Sequence, residues 1–162
     1  LRLFKIIMDY SKPLPRSAYP KRLEELDGEC VFCSDIPKGL LIEDFSYWTW
    51  QYALFPYHKQ HTLLILKRHC TEFGDLTDAE AVEFKNIIKE AEGRYRKNGI
   101  IDKDLPKRNQ LFIGWRSRAD NKSKPKVAHL HLHMYPDFEG SIKETLDPEA
   151  HLEDINKLRK GS

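Results

Sequence analysis

The sequence predicts a single α+β domain built on a mainly antiparallel sheet, and three observations carry that reading. Short segments rich in aromatic and β-branched residues come first, at 40–42, 47–55 and 61–66. A capped amphipathic segment follows, opened by Thr77-Asp78-Ala79-Glu80 and closed by Asn98-Gly99. Two more strand-like runs, 110–115 and 127–135, come after it. Strands, a helix between, then two more strands is the element order of an α+β fold.

Composition narrows the class. With 162 residues, 40% hydrophobic, the chain is long enough for one core and short for two. A net charge of +2 makes no whole-protein case for a nucleic-acid partner. No apolar run approaches the length of a membrane helix, and residues 1–8 do not read as an export signal, so the expected setting is soluble and cytoplasmic. Three cysteines, two of them as Cys30-x-x-Cys33, argue against a disulfide framework and for a reducing compartment.

Each element has its own local reason. Residues 1–28 carry Pro13, Pro15 and Pro20 among many charges and read as an irregular arm before a single domain spanning 29–162. Leu40-Leu41-Ile42, the aromatic run around Trp48 and Trp50, and His61 to Leu66 read as an antiparallel meander. The long helix shows an apolar stripe at Ala81, Phe84, Ile88, Ala91 and Tyr95, which should lie on the sheet. After the strand at 110–115, the polar run from Arg116 to Lys126 reads as a loop. Asp147-Pro148 opens a short C-terminal helix with Leu152, Ile155 and Leu158 as its stripe.

The segment His129-Leu130-His131-Leu132-His133-Met134-Tyr135 alternates imidazole and apolar side chains with the period of a strand. Three histidines therefore share one face, while Leu130, Leu132 and Met134 turn to the core. At a rise of about 3.3 Å per residue, the α-carbons of His129 and His133 stand roughly 13 Å apart. A ligating imidazole holds its ion about 6 Å from its own α-carbon, so all three could meet one ion only in a nearly collinear array. The trio must divide its labour, although two neighbours could still share an ion with other ligands.

Cys30-x-x-Cys33 has the spacing of a zinc half-site, for which His69 and His129 are candidate partners. Two reduced cysteines near the core is the competing reading. His131, in the middle, suits nucleophilic attack on phosphorus, because a neutral imidazole near pH 7 forms a labile P–N bond. His133 and His61 could hold phosphate oxygens, and Arg116, Arg118, Lys122, Lys124 and Lys126 precede the strand as either a solvated loop or a phosphate clamp.

With these residues in place, the chain resembles the histidine triad (HIT) superfamily. The resemblance rests on the alternating histidines together with Cys30-Val31-Phe32-Cys33, Leu54-Phe55-Pro56, Gln60 to Ile65, Lys67-Arg68-His69 and the capped helix, all in the family's order over roughly 29–137. It implies a HIT-like fold with a five-stranded antiparallel sheet, a long helix and a short C-terminal helix, commonly paired into a homodimer that acts on nucleotides at the α-phosphate. It implies His131 as nucleophile, His133 and His61 as phosphate and leaving-group partners, and His129 as a structural hydrogen-bonder or as the fourth ligand of a structural zinc beside Cys30, Cys33 and His69. No catalytic cofactor is expected. His133 stands where transferase members usually have glutamine, which favours a hydrolase of the HINT or FHIT kind, cleaving nucleoside phosphoramidates or dinucleoside polyphosphates. Three positions depart from the pattern, one being the polar Asn or Gln that usually ends the preceding strand, which has no counterpart among Trp115, Arg116 and Ser117. Ala53 replaces the ribose-binding Asp or Asn eight residues before His61, and Lys126 stands where a Ser or Thr usually contacts phosphate. A metal-dependent hydrolase using triad histidines, and a HIT-fold nucleotide binder with little turnover, are the alternatives.

Overall fold

The structure, a computed structural model, describes residues 9–34, 37–115, 128–138 and 147–160. The basic run from Arg116 to Lys126, and with it the proposed phosphate contact Lys126, lies outside the described residues. The elements are α1 (Tyr19–Leu26), β1 (Leu41–Asp44), β2 (Trp48–Tyr52), β3 (Thr62–Leu66), α2 (Asp78–Lys97), β4 (Leu111–Gly114), β5 (His131–Pro136) and α3 (Pro148–Leu158). Among the described residues five strands form one sheet in the order β1-β2-β3-β5-β4, with every neighbouring pair antiparallel. This is the α+β architecture that the element order implies.

Side-chain alternation gives the sheet two chemically different faces. In the β3–β5 register Leu63 opposes His133 and Ile65 opposes His131, while Thr62 opposes Met134 and Leu64 opposes Leu132. The second set joins Trp48 and Trp50 of β2 in the main core, covered by Ile87, Ala91 and Tyr95 of α2 and Ile155 and Leu158 of α3. Both helices thus sit on one face, leaving the histidine face to be finished by loops.

The helix ends follow their sequence signals. Thr77 accepts from the Glu80 backbone N–H while the Glu80 carboxylate accepts from that of Thr77, a complete capping box, and Asp147 caps α3 through its side chain. The stripe of α2 is rotated from the expected one: Ala81 is exposed and Glu80 is buried, because the carboxylate is fully engaged by Thr77 and Arg68. In α3 it is His151 that is buried rather than Leu152, its ring hydrogen-bonded to the Tyr52 hydroxyl at 2.6 Å.

The irregular arm expected over 1–28 is corrected by α1. Pro20 falls in the first turn of this helix, where its missing N–H forfeits no intrahelical hydrogen bond, so proline there initiates rather than disrupts. Asp27 and Gly28, with φ of 48° and 84°, turn the chain sharply into the Cys30 segment. Ahead of α1 the arm lies along the segment that follows β2, where the Leu14 N–H donates to the Leu54 carbonyl at 2.7 Å and Tyr19 meets Phe55 edge-on.

Candidate functional site

Backbone geometry at three places builds the site. The strand β5 begins at His131, four residues later than expected, and just ahead of it the Leu130 N–H is taken by the Cys70 carbonyl at 2.6 Å. His129 is thereby held just outside the ladder, and His131 and His133 project from within it. The third histidine, His61, follows Gln60, whose φ of 54° is unusual for a non-glycine residue. That conformation is anchored from the opposite face, where the Tyr95 hydroxyl donates to the Gln60 carbonyl at 2.7 Å.

His61, His131 and His133 are brought together. Nε2 of His61 lies 2.9 Å from Nδ1 of His133, and the His131 and His133 ring centres are 5.1 Å apart. His131 donates from Nδ1 to the His129 carbonyl at 2.7 Å, which fixes the tautomer with a basic Nε2. Burial holds the His131 ring below the usual histidine range, only partly offset by that hydrogen bond. His61, 1% exposed, is held well below it by burial first and by His133 next. At neutral pH the His61 and His131 rings are uncharged, so the site offers a lone pair for attack, and beside it the hydrogen-bonded His61–His133 pair can move a proton.

Cys30, Cys33, His69 and His129 form a second group, with one ligand atom from each lying within 4.8 Å of all the others. The Cys33 and Ser34 N–H groups both donate to the Cys30 carbonyl, a tight turn that aims both sulfurs the same way. His129 donates from Nε2 to the Leu66 carbonyl at 2.6 Å, leaving Nδ1 as an acceptor 3.4 Å from Cys30 Sγ and 3.5 Å from Cys33 Sγ. His69 Nδ1 is 3.2 Å from Cys33 Sγ. Bond lengths of about 2.3 Å for Zn–S and 2.0–2.1 Å for Zn–N place S and N about 3.6 Å apart across a tetrahedron. The residues therefore fit a tetrahedral Cys2His2 ion, with the second nitrogen of His129 locked as metal-bound histidines usually are. Phe32, inside the cysteine turn, touches His129 and His131 with ring centres 5.7 and 4.9 Å away, so this group supports the reactive face directly.

Ala53 is 2% exposed and packs with Leu63, Ile65 and Phe32. The position expected to lack a ribose clamp is thus enclosed by apolar side chains. Other site residues carried no sequence signal. Tyr57 stands in the loop before His61, its hydroxyl 3.3 Å from His133 Nδ1, its backbone N–H donating to His61 Nδ1 at 3.4 Å, and its ring 4.2 Å from that of His61. His58 stacks on Tyr135 at 3.8 Å, and Phe112 stacks on the same tyrosine at 4.7 Å. Phe112 lies over Gly114, where a β-carbon would come within 2.6 Å of its ring, so glycine opposite His133 makes room for that aromatic wall.

Residues 35–140 match the sequence model of the HIT domain. An uncharacterized HIT-like protein of Methanocaldococcus jannaschii is 24% identical over 135 residues, covering 81% of this chain and 96% of its own. A Zn-bound histidine triad family protein from Mycobacterium smegmatis has a similar structure, with a TM-score of 0.55 and 21% identity over 81% of this chain and 91% of that one. The Plasmodium falciparum diadenosine triphosphate hydrolase, solved with Cyclomarin A, superposes with a TM-score of 0.57 and 17% identity, covering 87% of this chain and 93% of that one. At these identities the structural likeness is one of fold.

Proposed function

The chain belongs to the HIT family, and from that premise we propose that it is a nucleotidyl hydrolase that cleaves nucleoside phosphoramidates or dinucleoside polyphosphates through a nucleotidyl-histidine intermediate. The observation that carries the reading is the tautomer of His131, whose Nδ1–H is committed to the His129 carbonyl so that Nε2 presents its lone pair. In the first step Nε2 bonds to the α-phosphorus and the bond to the leaving group breaks. The electron pair departs on the leaving nitrogen or oxygen, which receives a proton through His133, with His61 hydrogen-bonded behind it. In the second step water attacks phosphorus, the P–N bond breaks, and the proton of water returns through the same pair.

Under this proposal Cys30, Cys33, His69 and His129 hold one structural zinc. The ion would pin the cysteine turn to the two chain segments that flank the reactive strand, leaving His131, His133 and His61 for chemistry. The protein acts as a cytoplasmic homodimer of domains spanning about 29–162, a state that light scattering on the eluting peak would check. The function is tested with a fluorogenic adenosine phosphoramidate. Wild type should turn it over and His131→Ala should lose nearly all activity; equal turnover by both would overturn the assignment.

A second reading, a nucleotide binder with little turnover, is favoured by the apolar enclosure of Ala53. Calorimetry that detects nucleoside monophosphate binding by a protein without turnover would select it.

A further inference from the structure

The arm ahead of α1 brings a cation to the histidine site. Arg16 lies three residues before the start of α1, and its guanidinium lies over the Tyr57 ring at 5.1 Å from the centroid. The Tyr57 centroid is in turn 4.2 Å from that of His61, so the charge stands within about 9 Å of the His61 ring. Arg16 Nη1 also donates to the Phe55 carbonyl at 3.4 Å, a second contact that holds the side chain on the segment after β2. Among the described residues no carboxylate is paired with it, and the residue is exposed. A guanidinium has five N–H donors, and the one hydrogen bond of Arg16 among the described residues, to the Phe55 carbonyl, uses a single one of them. Its charge is felt at the site, being one of the influences that hold the His61 ring below its ordinary pKa. The segment bearing it is tied down by the Leu14 to Leu54 hydrogen bond and by the Tyr19–Phe55 contact, on the same stretch of chain that leads to His61.

We propose that Arg16 contacts the anionic leaving group of the substrate, making this protein selective for nucleotides whose leaving group is itself a phosphate over those that release an uncharged amine. This inference rests on the nucleotidyl-hydrolase reading and chooses between its two substrate classes. When His131 bonds to the α-phosphorus of a polyphosphate, the P–O bond to the next phosphate breaks and its electron pair leaves on that oxygen. Bond breaking runs ahead of proton delivery through His133, so the departing chain gains negative charge in the transition state. A preorganised guanidinium nearby is worth more to that state than to the ground state, whereas a phosphoramidate that expels a neutral amine gives it nothing to bind.

The test compares kcat/KM of wild type, Arg16→Ala and Arg16→Lys on diadenosine triphosphate and on a fluorogenic adenosine phosphoramidate. The expected result is a loss of about tenfold or more on the polyphosphate for Arg16→Ala, less than twofold on the phosphoramidate, and partial recovery with lysine, as befits a charge-assisted contact. Equal losses on both substrates would make Arg16 a support for Tyr57 alone, and no loss on either would remove it from the site; both outcomes overturn the proposal. Calorimetry with inorganic pyrophosphate provides a readout independent of turnover. Arg16→Ala should bind it about tenfold more weakly than wild type, and unchanged binding overturns the anion contact. Absence of turnover of either nucleotide by wild type would instead strike the hydrolase reading itself.

Discussion

Glu80 links the stability of the domain to the placement of a proposed zinc ligand, and its replacement has consequences that can be worked out. The residue is 3% exposed, and its carboxylate accepts from Arg68 Nε at 2.6 Å, from Arg68 Nη2 at 2.8 Å and from the Thr77 N–H at 2.8 Å. Arg68 also donates to the Asp75 carbonyl and immediately precedes His69, so the carboxylate holds the segment that carries that ligand. Glu80→Ala leaves the Thr77 N–H at the start of α2 without its partner, at about 1–2 kcal/mol, and removes the partly exposed charge-assisted hydrogen bonds from Arg68, at about 1 kcal/mol. The expected loss is about 2–3 kcal/mol, or about 4–12 °C in Tm for a domain of this size. Glu80→Gln keeps an acceptor for Thr77 but loses the charge and the oxygen that accepts from Arg68 Nε, so it spares the cap and should cost less. The two substitutions separate on titration. The Arg68 hydrogen bonds hold the Glu80 carboxyl well below its ordinary value of 4.5, at about 2. Because the folded-state value lies below the unfolded one, this stabilisation is complete above about pH 4.5 and is lost as pH falls towards 2. Urea denaturation at constant m-value should show wild type and Glu80→Gln converging across that window. A Glu80→Ala cost below 0.5 kcal/mol, or a Glu80→Gln variant that keeps the full acid dependence of wild type, would refute the reasoning.

Three further outcomes follow from the geometry. Elemental analysis of protein from metal-free buffer should find about one zinc per chain in wild type and little in Cys30→Ser; a value near zero in wild type, with both Cys30 and Cys33 freely alkylated, would return them to the role of reduced core thiols. Leu132→Ala, at a fully buried position between the two histidines and beneath both helices, should cost about 2–5 kcal/mol in the same urea experiment, and a cost under 1 kcal/mol would contradict the placement of the core. Tyr57→Phe removes the hydroxyl beside His133 and keeps the ring that stacks under Arg16, so kcat should fall several-fold with Tm unchanged; an unaltered kcat would remove that hydroxyl from the proton path.

What was legible in the sequence was what local chemistry decides. The alternation of His131 and His133 with Leu132 and Met134 gave one polar and one buried face, the Thr77 and Glu80 pair opened α2, and Asp147-Pro148 opened α3. The sheet order was not legible, since the insertion of β5 between β3 and β4 depends on pairings far apart in sequence. Pro20 was misread because proline both breaks and begins helices, and only position within the turn distinguishes the two. The proposed ligand set was partly legible through the cysteine spacing, while the seating of His69 and His129 against it depended on the Leu66 and Cys70 carbonyls. Tyr57 and Arg16 carried no signal at all. They lie outside the regular strands and α-helices, and their relation to His61 and His133 arises only when the arm folds onto the segment after β2.

The most direct test of the account is to look for the covalent intermediate on His131. Wild type mixed with diadenosine triphosphate, quenched rapidly under alkaline conditions that preserve a P–N bond, and digested for mass spectrometry should yield an adenylylated peptide modified at His131, absent from His131→Ala. Full turnover with no such adduct at any quench time, or an adduct mapped to His133 or His61, would contradict it.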